Sequence, residues 1–240
     1  MDRFPAPTYV SFPAPVKETT VTTDLRDAAL RAARDLEGAS AGEILGWAHA
    51  TYGKRLAIAS SMETGVLAHL ATTYAPGVDV LFLDTGYHFA ETIGTRDAIA
   101  QVYDVNVVTL RADVPDDRLY ERDVDACCKV RKVDPLDAAL AGYDAWASGV
   151  RRDESPLRAL TPVVGWDAKR GKVKVNPLAP WTQDDMDAYI AEHGILVNPL
   201  LYDGYPSIGC APCTKRVAPG EDPRSGRWAG TGKTECGLHV

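Results

Sequence analysis

Five cysteines carry most of the chemistry in this 240-residue sequence: Cys127 and Cys128 are adjacent, Cys210 and Cys213 enclose Ala-Pro, and Cys236 lies near the C-terminal end. An odd count leaves one thiol over from any set of disulfides, so the pattern reads as four plus one, used for metal binding or thiol chemistry. Two close pairs separated by 81 residues can hold a zinc ion or an iron–sulfur cluster. Paired zinc ligands are ordinarily about two to four residues apart, and neighbours on a helix point about 100° apart. A vicinal pair therefore suits a larger group with separate irons, and the favoured reading is a [4Fe–4S] cluster on Cys127, Cys128, Cys210 and Cys213, with zinc as the alternative. Lys129, Arg131 and Lys132 offset the charge of such a thiolate-ligated group and argue against small buried hydrophobes. Cys236 stands apart, close to His239. A terminal thiol that reaches a cationic site gains thiolate character and acts as a nucleophile; the plain alternative is an inert surface thiol.

Elements able to position these groups are legible in the hydrophobic pattern. Leu25, Ala28, Ala29, Ala32 and Leu36 recur at helical spacing, and Ser40 with Glu43 forms a capping box ahead of a second helix. Apolar runs at 55–59, 78–83 and 105–110 alternate with helical stretches at 66–74 and 93–102, and further strand candidates follow at 143–147, 161–166 and 172–175. Thr182 and Asp185 cap a helix running to His193. Alternating strands and helices predict a single α/β domain with one doubly wound, mainly parallel sheet. In such sheets ligands sit at the carboxyl ends of the strands, and a small polar turn opening a helix offers N–H groups to a phosphate. Ser60, Ser61, Glu63 and Gly65 occupy such a turn, and Asp84, Thr85 and Gly86 end the next strand; both turns can equally be plain caps. No G-x-G-x-x-G or Walker A pattern is present. The expected boundaries are an extended Pro-rich tail at 1–24, the α/β domain at 25–217, and a flexible segment at 218–240 carrying Cys236.

Composition narrows the class. The chain is 45% hydrophobic and 25% charged, which excludes a disordered chain, and it has no apolar run of membrane-spanning length. The N-terminus lacks the pattern of a signal peptide, so a cytoplasmic protein is expected. A net charge of -7 argues against nucleic-acid or acidic-membrane partners.

CCKVRKVDPL around Cys127, SIGCAPCTKRV around Cys210, the arginines of GVRRDESP, the LFLDTG strand end and the terminal ECGLH together resemble the assimilatory adenylyl-sulfate (APS) reductases, over nearly the whole chain from about residue 40. The resemblance implies an adenine-nucleotide α-hydrolase-like fold and a thioredoxin-dependent reduction of APS to sulfite and AMP, with Cys236 as the nucleophile and a cysteine S-sulfonate intermediate. It implies anion contacts from Arg158, Arg224 and Arg227, with Arg151 and Arg152 as further ones, Lys132 beside the cluster and His239 near the reacting group. Two loops depart from the family pattern: Ser60 to Gly65, and Tyr87 where Arg is frequent. Relatives that reduce phosphoadenylyl sulfate (PAPS) usually lack the four cluster cysteines, which favours APS. The alternatives are a PAPS reductase with a cluster, a zinc-stabilised ATP pyrophosphatase-like enzyme, and a DNA-binding redox sensor. Ser60 to Gly65 is not the loop a pyrophosphatase needs, and the acidic balance counts against the sensor. The sequence leaves open whether the chain is a homo-oligomer.

Overall fold

The short apolar runs become the centre of a six-stranded sheet in the order β3-β2-β1-β4-β6-β5. A computed structural model describes residues 20–238. The strands are β1 (Leu56–Ser60), β2 (Asp79–Asp84), β3 (Asn106–Arg111), β4 (Ala145–Ser148), β5 (Val164–Asp167) and β6 (Lys172–Val175). All pair in parallel except β5 with β6, which are antiparallel, as the turn at Gly171 requires of neighbours in sequence. The principal helices are α1 (Thr20–Asp35), α2 (Ala41–Tyr52), α3 (Val66–Tyr74), α4 (Ala90–Val102), α5 (Val124–Cys128), α6 (Asp134–Leu140) and α7 (Gln183–His193). Both expected capping boxes form, Ser40 with Glu43 and Thr182 with Asp185.

Ile58, Val80 and Phe82 share one buried cluster with Ile44, Leu45 and Val66 from the covering helices, while Ala57, Leu81 and Trp146 bury the other sheet face against Leu136 and Leu140 of α6. Two-sided burial explains why the central strands read as continuous apolar runs. None of the helices among the described residues is long and apolar enough to cross a membrane.

From β1 the chain steps outward to β2 and β3, then returns to β4 on the other side of β1. The β1/β4 pair is therefore the point where the winding reverses, and the crevice beyond its carboxyl ends is where an open sheet of this kind binds ligands.

Two expectations need correction. Helix α1 begins at Thr20, inside the segment read as an extended tail at 1–24, because the Thr-rich start forms its first turn; residues 1–19 lie outside the described residues. The segment after Ala218 contains no regular helix or strand, as its composition suggests, yet it is anchored: Trp228 is buried, Lys215 N donates to Gly226 O at 2.9 Å, and Thr214 bridges Arg227. A Cβ on Gly226 would stand 2.2 Å from the Lys215 carbonyl oxygen, so only glycine permits this approach. Gly226→Ala is expected to detach the segment, speeding protease cleavage after residue 218 at least about tenfold while thermal unfolding of the body changes little; parallel limited proteolysis and melting measurements check this.

Candidate functional site

Beyond the β1/β4 ends lies a cavity of about 1000 Å³. Ser60, Ser61 and Glu63 line it from the β1 turn, Arg151 and Arg158 from the chain after β4, Lys132 from the π turn between α5 and α6, and Arg224, Arg227 and Cys236 from the C-terminal segment. Positions spread over most of the chain thus meet at one place.

The turn after β1 is held rigidly. Met62 N donates to Ser60 Oγ at 3.2 Å and Gly65 N to Leu196 O at 2.8 Å, so two of the N–H groups expected to meet a phosphate are already used. Glu63 accepts from Ile208 N at 2.8 Å; burial raises its pKa above the ordinary carboxylate value despite that bond and nearby Arg227.

Cationic groups gather around the C-terminal segment. Arg158 Nη2 and Nε reach the two Glu235 carboxylate oxygens at 2.6 and 2.8 Å, a forked pair, and Arg158 Nη1 reaches Glu154 at 2.5 Å. Arg224 Nη2 lies 3.3 Å from the same Glu235. Burial and the neighbouring Arg158 together pull the Arg224 pKa down, as expected of two guanidiniums crowding one carboxylate. Arg227 Nη1 donates to Ser207 Oγ and Ile208 O, but its buried Nε has no partner.

Cys236 is 8% exposed, and its N–H donates to Glu235 at 2.8 Å. Glu235 is thus the clamp for the cysteine. Burial opposes its charge, but hydrogen bonds from Arg158 and the Cys236 N–H outweigh that penalty and lower its pKa below 4.5. A carboxylate with a depressed pKa stabilises the docked state fully above its unfolded value and loses that contribution as pH falls through the docked one. Alkylation of Cys236, corrected for the thiolate fraction, is therefore expected to be slow at neutral pH and to accelerate as pH falls below the ordinary carboxylate range; Glu235→Gln should remove the acid-dependent change.

The other four cysteines meet beside the same site. Cys127 and Cys128 end α5 where the helix widens into a π turn, Lys129–Val133, before α6. Such turns recur at functional sites because the inserted residue redirects side chains. Cys127, Cys128, Cys210 and Cys213 all line one small cavity, with Thr85, Lys132 and Trp228. Thr85 Oγ1 is 3.3 Å from Cys210 Sγ, and Arg131 is buried, with Nη1 on Thr85 O at 3.0 Å and its guanidinium 4.5 Å from the Tyr87 ring centre. Burial and the neighbouring thiols push Cys213 up to about 11, and burial followed by Cys128 and Cys210 raises Cys127. Burial likewise raises Cys128, and thiols that resist ionisation gain from a cation that would neutralise them. Among the described residues, no three His, Cys, Asp or Glu side chains stand together as a group that could hold one metal ion. Lys132 lines both cavities; burial works against its charge, but Cys210, Cys236 and Cys128 outweigh this and raise its pKa.

Not every expected contact reaches the nucleotide-sized cavity. Asp84 accepts from Gly86 N at 2.9 Å within its own turn and faces Arg111, Gly86 takes a positive φ of 76°, and Thr85 belongs to the cysteine cavity. Arg152 turns away, with Nε on Thr161 O and Nη2 on Glu37 after α1. His239 lies outside the described residues. Glu235, Glu154 and the α7 residues Gln183 and Asp187 also line the cavity; no pattern in the sequence marks them, apart from the place of Glu235 beside Cys236 in the terminal ECGLH.

The chain matches the family described as the phosphoadenosine phosphosulfate reductase domain over residues 55–216. It is 60% identical to an adenosine 5'-phosphosulfate reductase of Streptomyces coelicolor, covering 93% of this chain and 98% of the relative, and 54% identical to one of Mycolicibacterium smegmatis, covering 92% and 98%. The fold is similar to a phosphoadenylyl-sulfate reductase of Candida auris solved with phosphate, with a TM-score of 0.68, 24% identity, and coverage of 85% of this chain and 100% of that one. An FMN adenylyltransferase of Candida glabrata shares it more distantly, with a TM-score of 0.55, 12% identity, and coverage of 82% and 73%.

Proposed function

Because the chain belongs to the phosphoadenosine phosphosulfate reductase domain family, we infer that it binds adenylyl sulfate in the large cavity and reduces it to sulfite and AMP. The observation that carries this reading is the meeting of one thiol, Cys236, with Lys132, Arg158, Arg224 and Arg227 around a cavity large enough for a nucleotide. Arginine forks suit the phosphosulfate oxyanions. The Cys236 thiolate attacks the sulfonyl sulfur; the sulfur–oxygen bond to the phosphate breaks, and AMP leaves with both electrons of that bond. Cys236 is left as an S-sulfonate. Lys132 and the arginines balance the negative charge gathered on the phosphate and sulfonate oxygens in the transition state.

Discharge needs two thiols of a reductant. A thioredoxin thiolate attacks Cys236 sulfur, sulfite leaves, and the second thioredoxin thiol resolves the mixed disulfide, returning Cys236 as a thiol. Such a dithiol donor operates in a reducing cytoplasm.

Cys127, Cys128, Cys210 and Cys213 would hold a [4Fe–4S] cluster. Their convergence on one cavity, together with a vicinal pair better suited to separate irons than to one small ion, supports a multi-iron occupant over zinc. When bound, it ties the α5 segment to the 210–213 loop and supplies negative charge that Lys132 answers. The chemistry above runs through Cys236 alone.

Purified protein given APS and reduced thioredoxin is expected to release sulfite and AMP in equal amounts, with a higher kcat/KM for APS than for PAPS. ATP-dependent pyrophosphate release without sulfite would replace this reading by that of a pyrophosphatase-like enzyme.

A further inference from the structure

The cations of the large cavity are unevenly placed. Lys132, Arg158, Arg224 and Arg227 belong to the π turn, the chain after β4 and the C-terminal segment, whereas the wall formed by α7 contributes Met186, Ile190 and Ala191, with Gln183 and Asp187 as its polar members. An adenosine whose phosphosulfate lies among the cations has its ribose and base directed toward this more apolar wall. Arg151, which reaches α7, is engaged: its Nε donates to Asp153 at 3.0 Å and its Nη2 to Gln183 Oε1 at 2.8 Å. With its oxygen held by Arg151, the Gln183 amide turns its nitrogen outward, and Nε2 donates to Asp187 Oδ1 at 2.8 Å. Arg151, Gln183 and Asp187 thus form a chain of fixed polarity ending in a carboxylate on the cavity wall.

We propose that Asp187 is a specificity-determining residue that admits a nucleotide with a free ribose hydroxyl and repels one carrying a second phosphate there. The proposal rests on the reading of the cavity as a sulfonucleotide site. A phosphate dianion beside Asp187 meets a like charge and a cation already neutralised by Asp153, whereas a hydroxyl can donate to the carboxylate. Like charges a few ångströms apart near solvent cost roughly five- to tenfold in an equilibrium constant.

The test measures calorimetric Kd values for AMP and adenosine 3',5'-bisphosphate on the wild-type protein and on two variants. Asp187→Asn keeps an oxygen acceptor for Gln183 but removes the charge; Asp187→Lys inverts it. The wild-type protein is expected to prefer AMP, Asp187→Asn to narrow that preference roughly five- to tenfold at low salt, and Asp187→Lys to narrow it further, mainly through tighter bisphosphate binding. A parallel shift in the kcat/KM ratio for APS over PAPS is expected. A ratio unmoved in both variants while AMP still binds overturns the role of Asp187 alone, as does a wild-type preference for the bisphosphate. Failure of the wild-type protein to bind either nucleotide overturns the functional reading and this proposal with it.

Discussion

A Cys236→Ser protein is expected to keep its fold and its iron, still bind AMP, and lose at least about 10⁴-fold in turnover, because a serine hydroxyl has neither the nucleophilicity nor the leaving-group chemistry of a thiol at neutral pH. Two structural facts make the loss specific. Cys236 lies outside the four-cysteine cavity, and its main chain is pinned through Glu235 to Arg158 and Arg224, so the substitution removes one atom type and leaves the clamp in place. Steady-state rates with APS and thioredoxin, set beside AMP titrations, check this. Turnover within tenfold of wild type would remove Cys236 from the mechanism.

The second large effect concerns the cysteine cavity. Cys128→Ser is expected to lose most of its iron and sulfide and to turn over at least about 100-fold more slowly, because three thiolates leave one iron open to water and oxidation. The rate loss follows from geometry: Lys132 lies on the π turn immediately after Cys128 and lines both cavities, so releasing Cys128 frees the segment that aims Lys132 at the substrate. Iron and acid-labile sulfide assays on anaerobically purified protein, with activity in parallel, decide it. Full iron content in the variant would contradict the assignment; one zinc and no sulfide in the wild-type protein would replace the cluster by a zinc site.

What the sequence makes legible follows the reach of each signal. The run at 55–59 and the helix at 66–74 are read nearly to the residue, because two-sided burial and helical spacing are local patterns. The cysteines are legible because a vicinal pair with a distant C-x-x-C has few other uses. Long-range pairing leaves no local trace. Arg158 and Glu235 are 77 residues apart, and no spacing rule links a guanidinium after β4 to a carboxylate near the C-terminus. The same holds for Arg152, which resembles its neighbour Arg151 but turns to Glu37, and for the Asp84 to Gly86 turn, whose Thr85 serves the cysteine cavity. Asp187 is masked for another reason: on an amphipathic helix an acidic residue reads as solvated surface, and only the hydrogen bond from Gln183 shows which wall it joins.

Anchoring of the C-terminal segment also bears on the reaction cycle. In the docked arrangement Cys236 is buried, a position suited to attack on a bound sulfonucleotide but closed to a protein reductant. On the proposed mechanism the segment would have to leave the cavity before thioredoxin could act, with the Glu235 ion pairs holding it until then.

The central claim is that Cys236 takes the sulfonate from APS before any reductant acts. Intact-protein and peptide mass spectrometry of the wild-type protein incubated with APS and no thioredoxin tests it most directly. One adduct of about 80 Da, the mass of SO₃ on a thiol, is expected on the peptide containing Cys236, and reduced thioredoxin should discharge it as sulfite. An adduct on any of the other four cysteines, or sulfite release on adding thioredoxin with no adduct ever formed on Cys236, would contradict the mechanism.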